Sequence, residues 1–152
     1  MKTIILLLLS ISAYGQITFY LPLKTNHFDT DELYRYAEDQ GGNNGLVISY
    51  EYKSVIAAIG SITNSYGKSS GVLLLGYIKS LKNVDLSLSL GLASGYDKMY
   101  EIDRESVDID FFRRNNFVPV GLFSTRVKVY KNLGLQVNIS PLYVNYGIYV
   151  KL

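Results

Sequence analysis

One histidine and one loop serine are the side chains best suited to chemistry in this sequence. His27, the single histidine, follows the first predicted strand, and Ser65 lies in a short predicted loop at residues 64–67. An imidazole can take the proton from a hydroxyl that attacks an ester carbonyl. If both loops lie at one surface, His27 as general base and Ser65 as its hydroxyl partner could perform acyl transfer. Spacing alone also allows two inert surface residues.

The prolines point to an entrance for a lipid. The chain has 3 prolines, and each lies at the outer end of a predicted strand. Proline has no N–H to donate to a neighbouring strand, so it weakens strand pairing. In a closed barrel, Pro22, Pro119 and Pro141 could open gaps through which a lipid chain enters sideways. The competing interpretation is that they only end strands.

The N-terminus has the pattern of an export signal. Lys2 precedes an apolar run at residues 4–11, and the small residues Ala13 and Gly15 precede Gln16. This pattern predicts a signal peptide at residues 1–15 and a mature domain at 16–152. The apolar run is too short to cross a bilayer as a helix. The chain has no cysteine, which excludes disulfides and a lipid anchor on cysteine.

The composition suits a single β-domain. Apolar residues make up 48% of the 152 residues and charged residues 18%, and the formal net charge is only +2. A chain this apolar is not disordered, and so small a charge does not indicate a nucleic-acid partner. The 14 tyrosines and 6 phenylalanines are typical of strands.

Alternating apolar and polar residues predict eight strands. The pattern is clearest at residues 84–93, where Leu86, Leu88 and Leu90 alternate with small and polar residues. The predicted strands lie near residues 17–23, 46–53, 55–63, 71–79, 84–94, 117–130, 134–140 and 146–152. Short and longer connections alternate between them, as in outer-membrane barrels with short periplasmic turns and longer outside loops. We therefore predict an all-β, eight-stranded antiparallel up-and-down transmembrane β-barrel in the bacterial outer membrane. A soluble secreted barrel is the alternative.

The predicted lumen changes character along the sixth strand. Its inward positions run from Val118, Val120 and Leu122 to Ser124, Arg126 and Lys128. An apolar outer half could hold one hydrocarbon chain, because a barrel of this size encloses one small ligand. Buried charges need partners, so we expect ion pairs in the other half among Arg126, Lys128, Glu51, Asp85 and Lys151.

The order of these residues resembles a known family, the lipid A palmitoyltransferases of the outer membrane (the PagP family). The resemblance spans roughly residues 19–152. It rests on Phe19-Tyr20-Leu21-Pro22 followed by His27, Arg35-Tyr36-Ala37-Glu38, Asn64-Ser65-Tyr66, Gly76-Tyr77, Leu90-Gly91-Leu92-Ala93-Ser94-Gly95, Pro119 and Pro141.

The resemblance implies an acyltransferase that moves a palmitoyl chain from a glycerophospholipid to lipid A. It implies that His27 and Ser65 are catalytic and that Pro22, Pro119 and Pro141 shape lipid entry. Asn64 stands where the family has an aspartate, and an asparagine can still orient a partner by hydrogen bonding.

The lumen would then measure the acyl chain, in a pocket formed by Gly76, Ile78, Val118, Val120 and Leu122. Gly76 or Ile78 would lie at its floor. Such a protein is expected to act as a monomer on membrane lipids without a metal or soluble cofactor. A non-catalytic barrel of the same fold that binds lipid or another surface partner is the second hypothesis.

Overall fold

The fold is built from strands. In a computed structural model, the described residues are 15–28, 44–64, 68–95 and 116–152. They form eight β-strands: β1 (Gln16–His27), β2 (Gly45–Tyr52), β3 (Val55–Thr63), β4 (Ser69–Ser80), β5 (Val84–Ser94), β6 (Phe117–Tyr130), β7 (Leu133–Ile139) and β8 (Tyr143–Lys151). Among these residues, no helix is long and apolar enough to cross a membrane.

The strands close into one barrel. Each strand pairs antiparallel with its neighbours in sequence, and β1 pairs with β8. Closure gives every strand a paired neighbour on each side. The predicted eight-stranded antiparallel up-and-down barrel is confirmed. β1 nevertheless continues to His27 instead of ending near residue 23, and β8 begins at Tyr143 instead of near residue 146.

The two ends of the barrel differ. At one end, here called the turn end, tight connections at residues 53–54, 81–83 and 131–132 join β2 to β3, β4 to β5 and β6 to β7. At the other, the loop end, lie the remaining connections. The loop-end residues 29–43, 65–67 and 96–115 are outside the described part of the chain, and so is the predicted signal peptide up to residue 14.

Large apolar side chains cover the outside of the barrel. On β5, Leu88 and Leu90 are 61% and 69% exposed, whereas Ser87 and Ser89 are buried. The same alternation leaves apolar residues exposed on the other strands, among them Leu21, Ile59, Leu73, Leu75, Phe123 and Leu135. These rows point outward, as a transmembrane barrel requires. A soluble barrel would turn them inward, so this belt fits a hydrocarbon surrounding.

Two different walls line the lumen. Inward residues of β2, β3, β4 and β6 form an apolar wall that includes Val47, Ile56, Ala58, Ile62, Val72, Leu74, Val120 and Leu122, while Ser49, Ser87, Ser89, Ser124 and Arg126 are polar inward residues of β2, β5 and β6. Inward residues of β7, β8 and β1 are polar, among them Gln136, Asn138, Asn145 and Tyr20. The expected division into an apolar outer half and a polar inner half is therefore incomplete. Polar residues also extend toward the loop end on one side of the lumen, because they take consecutive inward positions on β7.

Charged side chains cross the lumen toward the turn end. Glu51 on β2 accepts hydrogen bonds from Arg126 on β6 and from Thr18 on β1, the latter at 3.0 Å. Lys151 Nζ lies 2.9 Å from Glu51 Oε2 and 3.0 Å from Asp85 Oδ2. The expected ion pairs form for Arg126 and Lys151, whereas Lys128 is exposed at the turn end. Opposite charges thus compensate one another in a buried position.

The apolar belt predicts a depth-dependent response to charge. In a bilayer, Leu90→Arg near the middle of β5 should lower the free energy of unfolding by roughly 2–4 kcal/mol, because it places a cation in hydrocarbon. Leu81→Arg at the turn end is the matched control and should cost about 0–1 kcal/mol near the interface. Urea unfolding in lipid vesicles measures both. Equal effects of the two variants would contradict a hydrocarbon surrounding at Leu90.

Candidate functional site

His27 faces the lumen at the loop end. It is the last residue of β1 and pairs in register with Tyr143, the first residue of β8. The two rings meet edge-on, with centroids 6.0 Å apart and an angle of 61° between their planes. Phe28 N donates to Leu142 O at 3.0 Å and fixes the backbone just beyond the histidine. An imidazole held in this way lies inside the mouth of the barrel.

A β-bulge is what turns His27 inward. The register between β1 and β8 shifts between Pro22 and Lys24, so Leu23 is an extra residue on β1. Successive side chains of a strand point to opposite faces, and Pro22 and His27 would lie on opposite faces of a regular strand. The extra residue changes this alternation, and both residues face the lumen. Leu23 itself is 57% exposed.

Asn64 fastens two loop-end connections together. Its side-chain nitrogen donates to Ser70 Oγ at 3.1 Å and to Gly95 O at 2.7 Å. Its side-chain oxygen accepts from Lys68 N at 3.0 Å. The residue is 5% exposed. These bonds join the ends of β3, β4 and β5, so the described contacts of Asn64 support the backbone of the site.

Ser65 lies outside the described residues, so the proposed contact between Ser65 and His27 stays a prediction. His27 and Asn64 both lie at the loop end, as predicted, on β1 and directly after β3. The strand β2 separates these two strands in the barrel.

The ladder between β1 and β2 stops short of the loop end. Among the described residues its last pair is Tyr20 with Val47, and the next residues, Leu21 and Pro22, are in register with β8 but not with β2. Ile17 O accepts from Leu152 N at 2.8 Å, so the polar backbone groups of odd-numbered residues face β8 in this part of β1. Those of even-numbered residues face β2. The missing N–H of Pro22 is therefore on the side that faces β2. The gap between β1 and β2 at this position is here called the β1/β2 opening.

A second gap lies between β6 and β7. Within the described residues, the last pair is Phe123 with Ile139, and residues 118–122 of β6 are in register with β5 but not with β7. Lys128 N donates to Asn83 O at 2.9 Å, so the backbone N–H and C=O groups of even-numbered β6 residues face β5. Pro119 is odd-numbered and lacks its N–H toward β7. Pro141 is exposed two residues beyond the end of β7, at the same β6/β7 opening. All three prolines thus lie at breaks in the ladder.

A cavity of about 100 Å³ lies inside the barrel. Its wall includes Pro22 from the β1/β2 opening and Asn64 and Tyr143 from the loop end. Pockets for drug-sized ligands usually measure roughly 300–1,000 Å³. The space present in this structure is smaller than such a pocket.

Of the five residues predicted to form an acyl-chain pocket, two line this cavity. Val120 and Leu122 line the cavity, whereas Gly76, Ile78 and Val118 face the lumen without reaching it. A side chain at Gly76 would collide with Leu88 O and the side chain of Ser89, so β4 and β5 leave no space there. Val118 is buried against Ala93, and Ile78 is 3% exposed near the turn end.

Sequence reasoning missed the polar side of the cavity. Gln136 Nε2 donates to Asn138 Oδ1 at 2.7 Å, and Asn138 Nδ2 donates to Asn145 Oδ1 at 3.2 Å. Tyr20 donates to the same Asn145 oxygen, and Asn145 Nδ2 donates to Thr25 Oγ1 at 2.8 Å. Arg126 Nε joins this chain at Gln136 Oε1, 2.8 Å away. The alternation of β7 predicted that Gln136 and Asn138 share one face of the strand, but not which residues they hydrogen-bond to.

Comparison with known proteins supports the fold. No family model and no curated protein matches the chain. Among solved structures, a barrel from the de novo design of transmembrane β-barrels resembles it with a TM-score of 0.57 and 13% sequence identity. The match covers 91% of this chain and 96% of that one. The chain therefore has the fold of a transmembrane β-barrel.

The hydrogen bonds of Asn64 predict that an aspartate at this position is harmful. In Asn64→Asp, the carboxylate cannot donate to Gly95 O and would lie against this carbonyl oxygen. The free energy of unfolding should fall by about 1–3 kcal/mol, the cost of a buried unsatisfied group. Asn26→Asp is the control at an exposed position and should change it by less than ~0.5 kcal/mol. Urea unfolding tests both, and an unchanged Asn64→Asp would refute the fastening role.

Proposed function

We propose that this protein is a bacterial outer-membrane acyltransferase that moves a fatty acyl chain from a glycerophospholipid to lipid A or another outer-leaflet lipid. The observation that carries this proposal is the pair of lateral openings at the loop end, each facing a proline. A barrel that only anchors itself in a membrane gains nothing from unpaired backbone in contact with lipid, because each unsatisfied group there is costly.

The proposed orientation follows from the connections. Outer-membrane barrels have short turns in the periplasm and longer loops outside, which would place the loop end and both openings at the outer leaflet. Two openings suit a reaction with two lipid substrates. A chain that enters at Pro22 would meet the cavity directly, because Pro22 is part of its wall.

The proposed chemistry centres on His27. It faces the lumen at the level where an ester at the mouth of the barrel would lie, above the acyl chain. There it would act as general base, with Ser65 as the hydroxyl partner, and take the proton of the acceptor lipid's hydroxyl while that oxygen attacks the ester carbonyl of the donor. The ester bond to glycerol would then break, and the donor would leave as a lysophospholipid that takes the proton from the imidazolium. The edge-on ring of Tyr143 would limit rotation of the imidazole.

A non-catalytic lipid-binding barrel is the second candidate. Two observations favour it: the side-chain amide of Asn64 is hydrogen-bonded to Ser70, Gly95 and Lys68, and the cavity is small. A barrel of this kind would admit part of a lipid chain without transferring it.

Mass spectrometry of lipid A from cells with and without the protein tests the first candidate. We expect a mass gain of one acyl chain in cells that make the wild-type protein. His27→Ala should lower this modification by about 10²–10⁴-fold, the usual contribution of a general base, and Ser65→Ala should also lower it. Asn26→Ala, next to the histidine and exposed, is the control. An unchanged lipid profile with folded wild-type protein would favour the second candidate.

A disulfide across the β1/β2 opening tests the route of entry for both candidates. The chain has no cysteine, so an engineered pair gives a defined bond. Oxidised Leu21→Cys/Leu46→Cys should lose uptake of a lipid with a labelled acyl chain and regain it after reduction, because the bond closes the gap. Phe19→Cys/Ile48→Cys joins a pair that is already in register and should leave uptake unchanged. Full uptake by the oxidised first pair would exclude this route.

A further inference from the structure

The lysines of the turn end gather around one hollow. Lys82 lies in the turn between β4 and β5, and Lys128 and Lys131 lie at and after the end of β6. These two turns are neighbours, since Lys128 N donates to Asn83 O at 2.9 Å. All three lysines are exposed and line a hollow of about 340 Å³.

Positive charge exceeds negative charge around this hollow, whose lining also includes Lys151, Asp85 and the last residue, Leu152. Within the described ranges, Glu51 and Asp85 are the acidic residues, and both are already engaged by Arg126 and Lys151. Two cations and two anions balance inside the lumen. The charges of Lys82, Lys128 and Lys131 therefore add to one another at the mouth of the turn end.

Exposed apolar and aromatic side chains border the hollow. Leu81, directly before Lys82, is 51% exposed, and Val129 and Tyr130, directly before Lys131, are 64% and 63% exposed. The ammonium group of Lys131 lies 5.3 Å from the centre of the Tyr130 ring. A tyrosine beside a cation at the edge of an apolar belt is typical of the interface between hydrocarbon and headgroups.

We infer that this hollow binds the phosphate headgroup of an anionic phospholipid in the leaflet at the turn end. The lysines would contact the phosphate, and the acyl chains would lie along the outer surface at Val127, Val129 and Leu133, which are all exposed. A free phosphate would use the lysines but not these apolar neighbours, which is why a lipid fits better. This site is separate from the loop end and does not depend on acyl transfer.

The test compares lipid retention by two triple variants. The wild-type barrel is reconstituted in an equimolar mixture of phosphatidylglycerol and phosphatidylcholine, extracted, and analysed by native mass spectrometry for bound lipid. We expect a preference for phosphatidylglycerol on the order of tenfold or more, since each lysine near anionic lipid contributes measurably. Lys82→Gln/Lys128→Gln/Lys131→Gln should bring the two lipids to equal retention.

The control removes the same charge elsewhere. Lys24→Gln/Lys53→Gln/Lys79→Gln changes three exposed lysines that do not line the hollow. Each triplet contains one turn lysine with positive φ, Lys131 or Lys53, so backbone effects are matched. The preference should persist in this variant. Cooperative urea unfolding confirms that both variants are folded.

Several results would overturn the inference. An undiminished preference in the first variant would show that the hollow does not select the lipid, and an equal loss in the control would show that only the overall charge matters. Inorganic phosphate and glycerol phosphate are added in a parallel series. Displacement of phosphatidylglycerol by either soluble anion at comparable concentration would identify a site for free anions.

Discussion

The structure depends on the hydrogen-bonded seam between the first and last strands. In hydrocarbon, every backbone polar group of a spanning sheet must find a partner within the protein, so the sheet must close. β1 meets this requirement along its whole length on the β8 side, from Thr18 to His27. Its ladder with β2, within the described residues, ends at Tyr20. The strand that closes the barrel is thus also the strand that leaves it partly open, and it carries both Pro22 and His27 there.

The filling of the lumen limits how deep a guest can reach. The ion pairs of Glu51 with Arg126 and Lys151 close the barrel toward the turn end, and the chain of amides from Gln136 to Asn145 stiffens one side above them. Satisfied polar networks of this kind hold side chains in one arrangement. Free space is therefore left against the apolar wall, near Val120 and Leu122, where only dispersion contacts are available to a ligand.

The sequence predicted the fold well because strand periodicity is a local property. Serines and leucines alternate on β5 in the order that the barrel shows, and the inward charges find opposite charges as expected. The site was less predictable. Asn64 bonds to Gly95, a residue 31 positions away, and the crowding that removes Gly76 from the cavity arises between neighbouring strands. Neither follows from spacing along one strand. The two openings depend on where pairing stops, which proline suggests but does not determine.

The extra residue on β1 has a consequence for how this protein can vary. The extra residue Leu23 brings both Pro22 and His27 to the lumen side of β1. The number of residues between Pro22 and His27 is therefore fixed. Inserting or deleting one residue there would turn the imidazole from the lumen to the lipid-facing surface, while the rest of the barrel stays intact. Length changes in related chains should therefore fall after Phe28, where the strand has ended. The position of His27 is thus compatible with a different loop after Phe28, but not with a different number of residues between Pro22 and His27.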